Sequence, residues 1–490
     1  HSDSIEIAAA MPAADEIHTF NVLAGPLDAA LDQFAHTAGV NLYYDAALLG
    51  GLQSKGLSGN YTTASALSLL LAGSGIEATS QPGGGYSLRK VTGSNAVTAL
   101  PPVTVSANTL GTTTEGTGSY ATRNVTLFGG EQSLKDIPQS VTVITRQKND
   151  DLRLDTLNTV LENTPGITLF SRIGGGSDIY SRGFMISTIQ YDGVPLLRGN
   201  YWSNTFAASS IHLDRVEVLR GAQGLLEGAG NPSGAINVVR KRGLADTVFN
   251  IEGRVGSWSN YGTRLEAGGP WDEQGRLRSR AILDYEDRGS FVDTLSDRNL
   301  NAYGALDLDI TPDTTLGLGV VYSLLKGSSY LYQGVPRYAD GHPLDIARSV
   351  TVSADWNDAR RRESQIFLNL EHRFSRNWKL KAAGAYTKED WDAITSYGNG
   401  LVPIGGNTLN GSGYTYDYSA NSAGRDINLI VKFEVLGMSH DLVFGGNYSR
   451  QKRDDGYIGY RNYTVYDVFN VNYNAPRFET TVPIDPAIKS

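Results

Sequence analysis

Residues 299–310 read NLNAYGALDLDI. Leu300, Ala302, Gly304, Leu306, Leu308 and Ile310 take every second position, and Asn299, Asn301, Tyr303, Ala305, Asp307 and Asp309 fall between them. A period of two sends successive side chains to opposite faces of an extended strand. The rhythm recurs in Ile366, Leu368 and Leu370 against Gln365, Asn369 and Glu371. It recurs again in Ile427, Leu429, Val431, Phe433 and Val435 against Asp426, Asn428, Lys432 and Glu434, and in Leu277, Ala281, Leu283 and Tyr285 against Arg276, Arg278, Arg280, Asp284 and Glu286. From residue 248 onward the pattern predicts about nine strands of roughly 9 to 12 residues, long enough to cross a bilayer at a tilt.

The connections separate a membrane barrel from a soluble sandwich. Short turns are expected at 271–275, 311–314, 375–377 and 436–440, and long loops at 287–298, 325–363 and 388–424. Alternation of short and long connections is the habit of outer-membrane barrels, with short periplasmic turns and longer outer loops. Arg278, Arg280, Asp307 and Glu371 would then face a lumen, and the apolar residues lipid. The 56 glycines and 26 tyrosines serve as turn, strand and interfacial residues.

Composition removes other classes. The 490 residues contain no cysteine, which excludes a disulfide scaffold, a zinc finger and a thiol enzyme. The longest apolar run, 66–72, is far short of a membrane helix. A net charge of −9 argues against nucleic acid as a partner. The chain begins at His1, which suggests a processed or trimmed terminus, and residues 1–16 read as an arm.

Residues 17–91 form a small α+β domain. Pro26 opens a helix carrying Leu27, Leu31, Phe34, Ala35 and Ala38, stopped by Gly39. Thr62 and Thr63 are cap candidates for a second, with Ala64, Leu67, Leu70 and Leu71 at helical spacing. Residues 92–118, rich in Thr, Ser, Gly and Asn, read as a linker. Within it Pro102, Val103, Thr104, Val105, Ser106 and Ala107 form one strand-prone segment, suited to capture by another protein's sheet edge.

Residues 119–243 are dense in turns and short strands, with one helix expected over 152–161. The glycines at 221, 224, 228, 230 and 234 lack the Gly-Lys-Ser/Thr ending of a phosphate loop and any βαβ context, so tight turns explain them better. Five segments carry a resemblance: 136–143 (DIPQSVTV), 163–167 (NTPGI), 181–184 (SRGF), 191–195 (YDGVP) and 215–237 (RVEVLRGAQGLLEGAGNPSGAIN). In order and spacing the region resembles the plug domain of TonB-dependent outer-membrane receptors. The first domain resembles the short signalling domain of transducing siderophore receptors, closest to the ferric-pyoverdine and pseudobactin types.

That resemblance implies a mixed α/β plug inside an antiparallel transmembrane β-barrel of 22 strands, in the outer membrane of a Gram-negative bacterium, with the α+β signalling domain in the periplasm. It implies that a ferric siderophore binds on the outer side and that TonB, driven by its inner-membrane energising complex, pulls on a box at Pro102 to Asn108. It implies an inner-membrane anti-sigma regulator as the signalling domain's partner, and plug–barrel ion pairs at Arg182 and Arg220. No intrinsic cofactor, metal ligand set or enzymatic activity is expected, because the siderophore chelates ferric iron with its own oxygens. The receptor instead needs aromatic faces and hydrogen-bond donors. Arg198, Tyr201 and Trp202 at the plug apices and Tyr330, Tyr332, Trp356, Trp391 and Tyr397 on the outer loops are the candidates.

A secretin-like secretion pore shares the small first domain but lacks a plug before its strands. An outer-membrane enzyme would need a catalytic constellation, and none is apparent. Import of cobalamin or a glycan stays open. Nine or ten strands give a barrel of about 10 Å radius, too narrow for a 119–243 plug whose radius of gyration is roughly 13 to 14 Å. The chain is therefore expected to be the N-terminal part of a longer receptor.

Overall fold

The computed structural model describes residues 17–44, 48–80, 85–90, 112–171, 176–198, 205–206, 209–223, 232–328 and 334–478. The chain divides into two compact units, residues 1–105 and 106–490.

In the first unit the strand Ile17–Val22 pairs antiparallel with Leu57–Thr62. The helix Leu27–Ala38 ends at Gly39, whose φ of 66° is the left-handed cap that glycine accepts without strain. The helix Thr63–Leu71 starts from Thr62, whose side chain accepts the Ser65 amide at 3.3 Å. Leu27, Leu31, Phe34, Leu67 and Leu70 bury the faces that their spacing marks, and Phe34 stacks on Phe20 at 5.4 Å.

The second unit nests an inner domain against a nine-stranded antiparallel ladder. The inner domain is built on a five-stranded sheet in the order Ser140–Ile144, Leu213–Arg220, Gly234–Arg240, Thr188–Tyr191, Val194–Pro195. Strands Thr188–Tyr191 and Gly234–Arg240 run parallel. The helix expected over 152–161 is instead two, Arg146–Asp151 and Leu157–Glu162. Arg153 takes a φ of 53° between them, and Thr156 starts the second with a reciprocal cap to Thr159.

The ladder runs in chain order through nine strands: Val248–Gly256, Asn260–Pro270, Leu277–Gly289, Ser296–Thr311, Thr314–Gly327, Asp358–Arg373, Trp378–Asn399, Thr408–Val435 and Met438–Asp467. The expected strand number holds, but the expected strand length does not. The last three have 22, 28 and 30 residues, because much of the expected loop 388–424 continues the ladder up to Asn399↔Asn410. The connections 271–276, 312–313, 374–377 and 436–437 are short and lie at one end; the longer 290–295, 328–357 and 400–407 lie at the other, together with the three-residue turn 257–259.

The two faces differ as the alternation demands. Leu306, Leu308, Ile310, Leu316, Leu318, Val320, Ile366 and Leu368 point outward and are exposed. Such a continuous apolar band needs lipid rather than water around it. The inward side chains of Ile282, Tyr303, Ala305, Val321, Phe367 and Ala385 join the inner domain's core with Ile179, Val216, Val218 and Ile236. No helix among the described residues is long and apolar enough to span a membrane.

Candidate functional site

Seven of the eight residues in the strand Leu213–Arg220 are buried, so its charged side chains must find partners inside the protein. Glu217, fully buried, accepts the Thr126 amide at 3.0 Å, Asn237 Nδ2 at 3.0 Å and Arg215 Nε at 2.8 Å. Asp214 accepts the amides of Thr114 at 3.0 Å and Glu115 at 2.8 Å and pairs with Arg215 Nη1 at 2.9 Å. The residues leading into the inner domain are thus latched to its central sheet. Residues 112–118, read as the end of the linker, include this anchored segment.

From the latch, contacts pass to the ladder. Glu115 pairs with Arg280 at 2.7 Å and with Lys241 at 3.2 Å, and Arg280 also meets Glu266 at 2.8 Å. Burial raises the Glu115 carboxyl pKa, but Lys241 and Arg280 outweigh it and hold the group below the usual range. Arg242 reaches Asp307 at 2.6 Å. Arg240 lies 4.0 Å above the Phe367 ring, bonds Asp192 at 2.5 Å and donates to Asn369 at 2.9 Å. These contacts border a cavity of about 120 Å³ toward the short-turn end.

Toward the other end Arg198 is the centre. Its guanidinium donates to Glu363 Oε2 at 2.8 Å, to Glu389 Oε1 and to the Tyr191 hydroxyl. Residue alternation puts Arg361, Glu363, Glu389, Trp391, Tyr416 and Tyr418 on one inward wall, since Arg361 opposes Trp391, Glu363 opposes Glu389 and Trp391 opposes Tyr418. Trp391 meets Tyr416 edge-on at 4.5 Å, Tyr416 stacks on Tyr418 at 6.2 Å, and Arg361 lies 4.9 Å from the Trp391 ring centre. Glu363 and Arg361 also line a cavity of about 230 Å³ shared with Arg153, Asp155, Arg254 and Asp284.

The structure brings together three of the anticipated residues: Arg198, Trp391 and Tyr397, the last packed against the tyrosine cluster. Trp391 sits on a strand and is fully buried, not on a loop, because its position lies within the continued ladder. Trp356 belongs to a neighbouring cluster, donating to Ala475 O at 2.7 Å and packing on Phe478 at 5.4 Å. Tyr201, Trp202, Tyr330, Tyr332 and the segment Pro102 to Asn108 lie outside the described residues.

Among the described residues neither expected ion pair is made to the nine strands. Arg220 donates to Pro165 O and Thr142 Oγ1, both at 2.8 Å and both within the inner domain. Arg182 is exposed, in a left-handed turn with a φ of 53°. Among the described residues the ion pairs that join inner domain and ladder are those of Glu115, Arg153, Asp155, Arg198, Lys241 and Arg242, in the connecting segments rather than in the SRGF and LRG turns. Asp214, Glu217, Asn237 and Arg240 were not singled out, although the first two flank Arg215 and Asn237 closes the 215–237 segment.

With this geometry in place, comparison with known proteins is informative. Residues 133–235 match the TonB-dependent Receptor Plug Domain, and residues 40–91 match the Secretin and TonB N terminus short domain. The ferric-pyoverdine M114 receptor of Pseudomonas sp. (strain M114) is 38% identical over 464 residues, covering 94% of this chain and 56% of that protein. The ferripyoverdine receptor of Pseudomonas aeruginosa is 31% identical over 480 residues, covering 95% of this chain and 59% of that protein. The crystal structure of the Pseudomonas aeruginosa outer-membrane ferripyoverdine receptor bound to ferripyoverdine superposes with a TM-score of 0.69 at 29% identity, over 97% of this chain and 61% of that one. The chain spans a little over half the length of these curated relatives.

Proposed function

The chain belongs to the TonB-dependent receptors of the outer membrane, and we propose that it carries the plug and ligand-facing wall of a receptor that imports a ferric siderophore of the pyoverdine type. The observation that supports this reading best is the wall of Trp391, Tyr416 and Tyr418 beside the Arg198–Glu363–Glu389 cluster, on the end of the barrel with the longer connections. A siderophore presents iron already enclosed in its own oxygens. Recognition therefore falls to flat aromatic surfaces and charged hydrogen-bonding groups, not to metal ligands.

The same cluster fastens the plug, and because Trp391, Tyr416, Tyr418, Glu363 and Glu389 are buried, a ligand would reach it by displacing what covers it. Arg198 belongs to the plug and its two carboxylate partners to the barrel, so a ligand that takes over Arg198 or either glutamate loosens the plug on the ligand's own side. Tyr201, Trp202, Tyr330, Tyr332, Trp356 and Tyr397 are proposed to complete the ligand surface. On the periplasmic side, TonB would engage Pro102 to Asn108, a few residues before the latched Thr114. The N-terminal unit would report occupancy to an inner-membrane anti-sigma regulator.

Binding of a panel of ferric and iron-free siderophores to the full receptor, followed by tryptophan quenching, tests the substrate. A ferric pyoverdine is expected to bind with clear preference, and absence of preference for any ferric complex would refute the reading. Deletion of 102–108 is expected to abolish uptake while surface binding persists; uptake that continues without the segment removes it from the coupling step.

A further inference from the structure

The outward face of the barrel wall carries a groove that neither the ion pairs nor the aromatic wall uses. Leu368, Gly384, Arg425 and Tyr448 stand side by side across four strands. One row nearer the short turns stand Leu370, Ala382, Ile427 and Gly446. Together they border a space of about 700 Å³. A Cβ added at Gly446 would meet nothing within 4 Å, and one at Gly384 only the Gly424 carbonyl at 3.8 Å. Leu368, Ile427 and Tyr448 remain more than half exposed around this furrow.

One and two rows nearer the long connections the chemistry changes. Arg450 lies across from Ala423, and Lys388 and Lys452 flank Asn421 from either side. With strands about 4.8 Å apart and alternate rows about 7 Å apart, Arg425, Arg450, Lys388 and Lys452 converge within roughly 10 to 15 Å. Among the described residues Arg425, Arg450 and Lys452 have no carboxylate partner, while Lys388 is 3.7 Å from Asp390. Asp454, one row beyond Lys452, is the other nearby acid.

A lipid-facing cation costs about 2 to 4 kcal/mol at the bilayer midplane and little at the interface, where its long stem lies along apolar surface. Arg425 at the head of an apolar furrow, with three further cations above it, therefore marks headgroup height and calls for an anion. We propose that this face binds a phosphorylated, acylated glycolipid of the outer leaflet. An acyl chain lies along Gly384 and Gly446, and phosphate meets Arg425, Arg450, Lys388 and Lys452. The long connections put the cations in the leaflet that faces outward, which in such membranes is built of phosphorylated glycolipid rather than phospholipid. This inference rests on the barrel's orientation and not on the identity of the siderophore.

The full receptor in detergent is titrated with lipid A, with lipid A stripped of phosphate and with phosphatidylglycerol, and bound lipid is counted by native mass spectrometry. Lipid A is expected to be retained selectively. Removing its phosphates, or combining Arg425→Gln with Arg450→Gln, is expected to weaken retention about tenfold or more. Gly446→Leu, which fills the furrow and leaves every charge in place, is expected to weaken it too, with ferric-siderophore binding unchanged as the control for folding. Equal retention of phosphatidylglycerol, or lipid A binding indifferent to both variants, would overturn the proposal.

Discussion

Replacing Asp214 by alanine removes the acceptor that holds the start of the plug. Its carboxylate takes the amides of Thr114 at 3.0 Å and Glu115 at 2.8 Å and faces the Arg215 guanidinium at 2.9 Å. Thr114 is 2% exposed, so water does not simply replace the lost acceptor. Each hydrogen bond to a charged group is worth about 1.5 to 3 kcal/mol. Arg215 keeps Glu217 as a partner, which moderates the loss, and a local destabilisation of about 3 to 4 kcal/mol follows. Because amide exchange reports local opening, this corresponds to a fall of about 10² to 10³ in protection. Hydrogen exchange on the full receptor is expected to show it at Thr114, Glu115 and Thr117. Amides in the barrel strand Ser296–Thr311 should not change. Protection at Thr114 within threefold of the parent would refute the latch.

Three further perturbations follow from the same contacts. His212 is buried, and burial with Arg240 nearby pushes its pKa down to about 3 from 6.5. Between those values the unfolded plug binds a proton that the folded plug does not, so stability is full above pH 6.5 and falls with pH, by about 2 kcal/mol at pH 5; denaturant unfolding of the plug should show this slope, and His212→Phe should flatten it. A Cβ on Gly319 would clash with Arg240 Nη1, and the rest of that guanidinium is held in place by Asp192, Asn369 and the Phe367 ring. Gly319→Ala is therefore expected to destabilise the seated plug by about 1 to 3 kcal/mol in the same assay, and no change would show Arg240 to be free to move. Arg198→Met strands two buried glutamates and should cost about 3 to 5 kcal/mol; adding Glu363→Gln and Glu389→Gln should recover at least half, and failure to recover would locate the loss in packing instead of charge.

The period-two rhythm of 299–310 disclosed strand type, facing and number because one buried and one lipid-facing side leave no other arrangement for the residues. Strand ends were harder to see. Residues 388–424 look like a loop because Lys388, Asp390, Asp392 and Asp417 stand above the lipid band, where an outward face meets water. Hydrogen bonding between strands continues there without any apolar signature. Arg198 could be marked as functional from its place after the YDGVP turn, but its partners could not, since Glu363 and Glu389 lie 165 and 191 residues away in sequence and meet it only through strand register. Arg182 and Arg220 meet no carboxylate among the described residues of the nine strands. Their motifs are local turns, and Arg220 satisfies its donors within a short distance in space, at Pro165 and Thr142.

The two ends of the plug are not independent, and one side chain shows why. Asn237 donates through Nδ2 to Glu217 at 3.0 Å and accepts the Gly193 amide on Oδ1 at 2.9 Å. Glu217 shares Arg215 with Asp214, which holds Thr114. Gly193 lies in the turn between Thr188–Tyr191 and Val194–Pro195, the last strand pair before Arg198. A single buried amide therefore adjoins both the network that fixes the periplasmic start of the plug and the turn that aims Arg198 at the barrel glutamates. Asp192 in the same turn holds Arg240, so displacement of the turn also disturbs a contact to the barrel wall through Asn369. Arg198 on the outer side and Thr114 on the inner side are thus linked by one chain of hydrogen bonds, and under the proposed function release of the first would lower the cost of releasing the second. Under the proposed function, a plug fastened this way would stay seated when empty and present a weaker latch to a pull on its N-terminal tether when the outer cluster is occupied.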